Sequence, residues 1–205
     1  MVITKAVITQ GCYYISTNDM QSEKQKLRSH FLEIRNGIPE DQYLKNSAAI
    51  RKRLLTWDQL CTARTIHTYL SIPEHREVDT RMLVPELLDM GKRVVVPVIQ
   101  PQYELRHVYV TKHTQFETGR WGVAEPVDGE EADPGVLDLI LVPMVAGDRE
   151  KHRIGYGKGF YDRFLRQTRA VTAGLLFEQT RYSGCFPSEP HDHPLDVLVT
   201  EDAIY

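Results

Sequence analysis

Cysteine is scarce in these 205 residues. Cys12, Cys61 and Cys185 stand far apart, in odd number and without a C-x-x-C pair, so neither a disulfide framework nor a zinc knuckle is expected. A reducing compartment is the simplest expectation. No apolar run approaches the length of a membrane span. The first twenty residues carry Val7, Ile8, Tyr13, Tyr14 and Ile15, but threonines and Gln10 interrupt them, which makes a poor signal peptide. The expectation is a cytoplasmic or organellar-matrix protein with no membrane partner. A basic excess is missing too. Lys and Arg number 25 against 28 Asp and Glu, a formal net charge of −3, which argues against a nucleic-acid partner. There are no internal repeats or low-complexity linkers. The apolar fraction of 41% and charged fraction of 26% are those of an ordinary globular chain, long enough for one domain with a sizeable core.

What is present is an alternation of helical and strand-like segments. Residues 1–20 receive no assignment; a short extra strand and a loose extension both stand open. Ser22 to Arg35 reads as a helix, with Ser22 as N-cap, Gln25 completing a capping box, and Leu27, Phe31, Leu32 and Ile34 as its apolar stripe. Pro39 opens a second helix reaching about Thr56. Thr65 to Ile72 is strand-like, and Asp79 or Thr80 caps a helix ending at Gly91. Arg93 to Ile99, Leu105 to Val110, Leu137 to Val142, Val171 to Phe177 and Asp196 to Thr200 follow as strands. Pro101 to Pro134 is the longest irregular region and a source of binding loops. The pattern predicts an α/β protein, a single-domain three-layer α/β/α fold around a mostly parallel sheet, spanning residues 21–205.

The run Gly155-Tyr156-Gly157-Lys158-Gly159-Phe160-Tyr161-Asp162-Arg163 is the most informative segment. Its glycines let backbone N–H groups turn inward around an oxyanion, the helix expected from Phe160 to Gln167 adds positive potential, and Lys158 supplies a mobile charge. The run is not a Walker A loop, because no Ser or Thr follows the Gly-Lys pair, nor a dinucleotide fingerprint, because its third glycine comes one residue early. A plain tight turn and a phosphate cradle both fit it.

Other residues also carry two readings. Lys24 and Arg28 share a helix face near its expected N-terminus, where like charges cost a few tenths of a kcal/mol and the dipole roughly 0.3–1 kcal/mol for each cation. They form a solvated face, or a polyphosphate clamp that reverses those costs. Asp162 and Asp192 are candidate Mg²⁺ ligands, with Asp196 the alternative in the second region, while Asp162 also suits the first turn of a helix. No His/Cys set completes a transition-metal shell around His191-Asp192-His193. Trp121, Phe160 and Tyr161 are aromatics that stack on a heterocycle or pack. Glu77 lies past a strand end, where sheet ligands bind, and is otherwise a turn carboxylate.

In chain order these segments resemble the 5-formyltetrahydrofolate cyclo-ligase family, also called 5,10-methenyltetrahydrofolate synthetases. Lys24-Gln25-Lys26-Leu27-Arg28 is similar to its N-terminal K-x-x-x-R helix, Ser71-Ile72-Pro73 with Glu77-Val78-Asp79-Thr80 to its loop before the second helix, and Gly91 to Pro97 to its next strand. Trp121-Gly122-Val123-Ala124-Glu125-Pro126 resembles its W/G-I-x-E-P turn, Leu141-Val142-Pro143 and Arg153 to Arg163 its signature, and His191-Asp192 with Val199-Thr200-Glu201 its C-terminal end. The likeness runs from about Lys24 to Asp202. Gly147 and Lys151 depart from the family's usual Phe and Gly.

The resemblance implies an ATP-dependent ligase that converts 5-formyltetrahydrofolate to 5,10-methenyltetrahydrofolate, ADP and phosphate with Mg²⁺. It implies that Lys24, Arg28, Arg153, Gly155, Gly157, Lys158, Gly159, Phe160 and Tyr161 hold ATP, that Lys158 and Arg153 are catalytic, that Glu77, Trp121 and Tyr161 contact the folate, and that Asp162 and Asp192 bind the metal. A monomer or weak homo-oligomer is expected. The competing readings are a non-catalytic folate or nucleotide binder, and a related ATP-dependent enzyme for another substrate.

Overall fold

The computed structural model describes residues 17–188 and 192–205; most of the unassigned N-terminal stretch, and His191, lie outside them. Helices α1 (Thr17–Asn36), α2 (Glu40–Leu55) and α3 (Asp58–Thr62) lead to strand β1 (Thr65–His67). Helix α4 (Leu83–Asp89) precedes β2 (Arg93–Ile99) and β3 (Leu105–Val110). A hairpin of β4 (Phe116–Thr118) and β5 (Ala124–Pro126) follows, then β6 (Leu139–Pro143), β7 (Ala146–Asp148), β8 (Arg153–Ile154), helix α5 (Phe160–Phe164), β9 (Val171–Leu175), β10 (Arg181–Tyr182) and β11 (Val197–Val199).

The main sheet has the order β11-β9-β6-β1-β2-β3. All its pairs are parallel except β2 with β3. Its strands read as continuous apolar runs because both faces are buried. Val94, Val96, Leu139 and Leu141 pack with Tyr43, Ile50, Leu54, Leu60, Leu83 and Leu87 from α2, α3 and α4. Their neighbours Val95, Ile140 and Val142 face the other way, onto Phe164 of α5 and Leu176, Leu195 and Leu198. A separate cluster of Phe31, Val145, Ala146, Ile154 and Phe186 seats α1 on a small sheet of order β10-β7-β8.

Both edges of the main sheet are covered by the chain itself. At β3, Tyr109 N donates to Glu130 O at 2.9 Å and Ala132 N to His107 O at 2.9 Å. At β11, Leu198 and Tyr205 exchange backbone bonds of 3.2 and 2.9 Å.

Several predicted bounds shift, each for a physical reason. Helix α1 is already helical at Thr17, the first described residue, so Ser22 and Gln25 lie inside it and form no capping box. Lys24 and Arg28 therefore stand beyond the first turn, where the dipole no longer penalises them. Strand β1 ends at His67; Thr68 N still donates to Val95 O at 2.9 Å, but from Tyr69 on the chain bonds to a distant loop: Thr80 Oγ1 donates to Tyr69 O at 2.6 Å, Ser71 N donates to Thr80 Oγ1 at 3.2 Å, and Tyr69 Oη donates to Val78 O at 2.9 Å. Thr80 is thereby engaged, and α4 begins later, with Met82 at its N-cap. Beyond the predicted strand β3, the stretch from Pro101 to Pro134 is less irregular than expected, since it also holds the β4–β5 hairpin. Glu125 ties that hairpin to the main sheet by accepting from Ile99 N at 2.9 Å.

Leu141 is 0% exposed at the middle of β6. Leu141→Ala should cost about 2–5 kcal/mol in chemical denaturation; an unchanged midpoint would contradict a core filled from both sheet faces.

Candidate active site

Chain connections leave β1 toward β2 on one side, and β6 toward β9 and β11 on the other. Adjacent strands whose connections diverge open a crevice at their C-terminal ends. A cavity of about 330 Å³ lies there, floored by Tyr69, Leu70 and Ile72 after β1, Pro97 and Ile99 at the end of β2, and Pro143 at the end of β6.

Side chains from distant elements converge on it. Helix α1 brings Lys24 and Arg28, strand β8 brings Arg153, and the loop after β8 brings Gly155, Lys158 and Gly159. Phe160, Tyr161 and Asp162 of α5, together with Glu77, Trp121 and Asp192, complete the lining. Of the residues predicted for the site, Gly157 and the alternative carboxylate Asp196 do not line the cavity; Asp196 accepts from Thr172 N and Oγ1 at 2.8 Å instead. Gly157 borders the site by lying against Arg28: a Cβ at Gly157 would meet Arg28 Nη2 at 3.0 Å, and its φ of +81° is one that side chains resist.

The glycine loop follows the short strand β8 of the small sheet. The helix expected from Phe160 to Gln167 is present, but it is α-helical only over Phe160–Phe164 and continues to Gln167 as a 3₁₀ turn, so the helix dipole supplies little of the positive potential. Arginines hold the loop from both ends. Arg28 Nε donates to Gly155 O at 2.6 Å, and Arg163 Nη2 donates to Lys158 O at 2.8 Å and to Tyr103 O at 2.6 Å.

Charges in the cleft are compensated in pairs. Lys24 binds Asp192, and Arg153 binds Asp162 while Arg153 Nη1 donates to His193 O at 3.3 Å. Burial pushes the guanidinium groups of Arg153 and Arg28 below their ordinary range, and Asp162 and Asp192 oppose the shift at Arg153. Lys158 reaches over the ring of Tyr103, with Nζ 5.7 Å from its centroid. At the mouth, Phe160 meets Trp121 and Tyr103 edge-on at 5.6 and 5.8 Å. Trp121 is 54% exposed and sits at φ +57°, in the turn between β4 and β5.

Among the described residues, no group of three or more His, Cys, Asp or Glu could hold a metal unaided. Two carboxylates beside a cationic loop do suit Mg²⁺, which keeps waters and takes its other ligands from phosphate oxygens. An arriving polyphosphate would draw Lys24 and Arg153 to itself and release Asp192 and Asp162 for the ion. The donor set thus fits a metal that comes with its nucleotide.

Sequence reasoning missed four residues here. Arg35 is 2% exposed; its Nη2 donates to Tyr156 Oη at 2.7 Å, and Tyr156 Oη donates to Glu77 Oε1 at 2.8 Å. Burial, and then the Glu77 charge, push the Tyr156 phenol well up. Arg35 was findable, because Lys24, Arg28 and Arg35 recur at helical spacing on one face of α1. His67 and His107 carry no such signal. They lie behind Tyr161, with ring centroids 5.2 Å apart and His67 6.3 Å from Tyr161. Neither ring nitrogen of His67 has a hydrogen-bond partner among the described residues, nor does Tyr161 Oη. Burial, then the neighbouring histidine, hold His67 well below its usual value, and burial brings His107 to about 4.

A doubly wound sheet with a cationic glycine loop at its switch point places this protein among the α/β proteins whose crevice at the strand ends suits an anionic ligand. The sequence profile of the 5-formyltetrahydrofolate cyclo-ligase family matches residues 20–201, and the chain belongs to that family. A curated relative, the 5-formyltetrahydrofolate cyclo-ligase of Mus musculus, is 25% identical over 200 residues, covering 90% of this chain and 96% of the relative. The solution structure of Aquifex aeolicus 5,10-methenyltetrahydrofolate synthetase superposes with a TM-score of 0.80 at 31% identity, covering 88% of this chain and 91% of that one. A 5,10-methenyltetrahydrofolate synthetase from Mycoplasma pneumoniae shares the fold, with a TM-score of 0.70 at 21% identity over 87% of this chain and 99% of that one.

Gly157→Ala should force the loop away from Arg28 and weaken nucleotide binding about tenfold or more in calorimetry; unchanged affinity would remove the loop from the site. The buried histidines set a pH dependence. Unfolded histidine protonates near pH 6.5, whereas His67 and His107 resist protonation in the fold. Stability should therefore be full above pH about 6.5 and fall as the pH drops toward about 4, by about 3 kcal/mol from His107 alone. Urea titrations across that range check it; a flat profile contradicts the buried neutral pair.

Proposed function

We propose that this protein is an ATP-dependent 5-formyltetrahydrofolate cyclo-ligase, forming 5,10-methenyltetrahydrofolate, ADP and phosphate. The observation that carries this reading is the convergence of Lys24, Arg28, Arg153, Lys158 and the glycine loop on the same cavity as Glu77 and Trp121, in a chain of this family.

The N5-formyl group is an amide and a poor electrophile. Transfer of the terminal phosphoryl group to its oxygen makes that oxygen a leaving group; N10 then attacks the formyl carbon, the ring closes and phosphate departs. Charge on the transferring group and the in-line placement of two ligands are the main demands on the protein. In this reading the loop from Gly155 to Tyr161, with Lys24, Arg28 and Arg153, binds the polyphosphate. Lys158 and Arg153 stabilise the developing charge. Mg²⁺, when bound, would neutralise phosphate oxygens, with Asp162 and Asp192 as its protein ligands. Glu77 accepts N–H donors of the folate, and Trp121 and Tyr161 flank its rings. The apolar floor formed by Leu70, Ile72 and Pro143 excludes water that would otherwise hydrolyse the activated formyl group. Cys61 and Cys185 are exposed free thiols, which supports a reducing compartment, cytosolic or organellar.

One cuvette tests the reading. Protein, Mg²⁺-ATP and 5-formyltetrahydrofolate should develop the near-ultraviolet absorbance of the methenyl product, and its absence with a folded protein would overturn the assignment. Lys158→Ala should lower kcat by about 10²-fold or more while leaving the thermal midpoint unchanged, because this exposed lysine packs little; wild-type turnover in that variant would refute its role.

A further inference from the structure

The chain Arg35–Tyr156–Glu77 connects a buried cation to a buried anion through one phenol. Arg35 is 2% exposed and Glu77 6% exposed, and no direct ion pair joins them. Arg35 Nη1 also donates to Met144 O at 3.1 Å, and its Nε has no partner among the described residues. An arginine can only donate, so the Tyr156 oxygen must accept from Arg35, and its own proton is committed to Glu77 Oε1. The other carboxylate oxygen, Oε2, accepts from Ile72 N at 2.9 Å. Each oxygen of Glu77 thus has one fixed donor on the protein side. Its remaining acceptor capacity belongs to the cavity that Glu77 lines.

We propose that Arg35 is a positioning residue for substrate recognition: acting through the Tyr156 hydroxyl, it fixes the rotation of the Glu77 carboxylate so that this group meets the N–H donors of the folate. The proposal rests on the functional reading above and adds the residue that makes Glu77 an oriented acceptor. Helix α1 then serves the site twice. Lys24 and Arg28 reach the polyphosphate side, and Arg35, further along the same face, sets the folate side.

The test is steady-state kinetics on the full chain by the methenyl absorbance, with thermal midpoints alongside. Arg35→Met should raise the KM for 5-formyltetrahydrofolate about tenfold while the KM for ATP stays within about twofold, as expected when a hydrogen bond to a charged group loses its orientation. Tyr156→Phe should do the same. Arg35→Lys, whose ammonium can still donate to the phenol, should recover most of the loss. The double variant Arg35→Met/Tyr156→Phe should be no worse than either single one, because both act through one relay. A lowered midpoint with an unchanged folate KM in every variant would overturn the proposal, as would losses that multiply to about a hundredfold in the double variant. If Arg35→Met does not fold, Arg35→Lys and Tyr156→Phe decide the question by the same split between the two KM values. Wild-type protein without methenyl absorbance would instead overturn the functional reading, and with it the substrate named here.

Discussion

Everything at the site depends on the divergence of connections between β1 and β6. Two parallel neighbours whose chains leave in opposite directions cannot close the space above their ends. Here that gap receives a lysine and an arginine from α1, an arginine from β8, and a loop from the small sheet. The main sheet supplies an apolar floor, and the small sheet positions the cations. Helix α1 is held by its apolar contacts with Val145, Ala146 and Ile154, so the placement of Lys24 and Arg28 follows from packing.

The electrostatics of the cleft have a common form. Cations and carboxylates neutralise one another across it, Lys24 with Asp192 and Arg153 with Asp162. Such pairs add little to stability, since desolvation offsets much of their attraction. They keep the charges in place without fixing them irreversibly. Arg35 and Glu77 are different, because the phenol between them leaves the arginine no route to a ligand.

Much of this was legible in the sequence, and the rest was hidden for identifiable reasons. Arg93 to Ile99 and Leu105 to Val110 carry their own apolar pattern, and both strands have the expected bounds. The glycine loop is visible because its composition is unusual. Thr65 to Ile72 reads as one long strand because Tyr69 and Leu70 are apolar, yet the hydrogen bonds that draw them off the sheet come from Val78 and Thr80. The pairing of Tyr156 with Glu77 spans 79 positions, and no local pattern announces it. His67 looks like any residue of a short strand until the fold places it against His107 and Phe164.

The covered margins of the main sheet have a consequence for the company this protein keeps. A bare strand at either side would be a template onto which another molecule could add its own backbone. Residues 130–132 occupy that position beside β3, and residues 203–205 beside β11. Growth of the main sheet from one molecule into the next is thereby hindered at both margins.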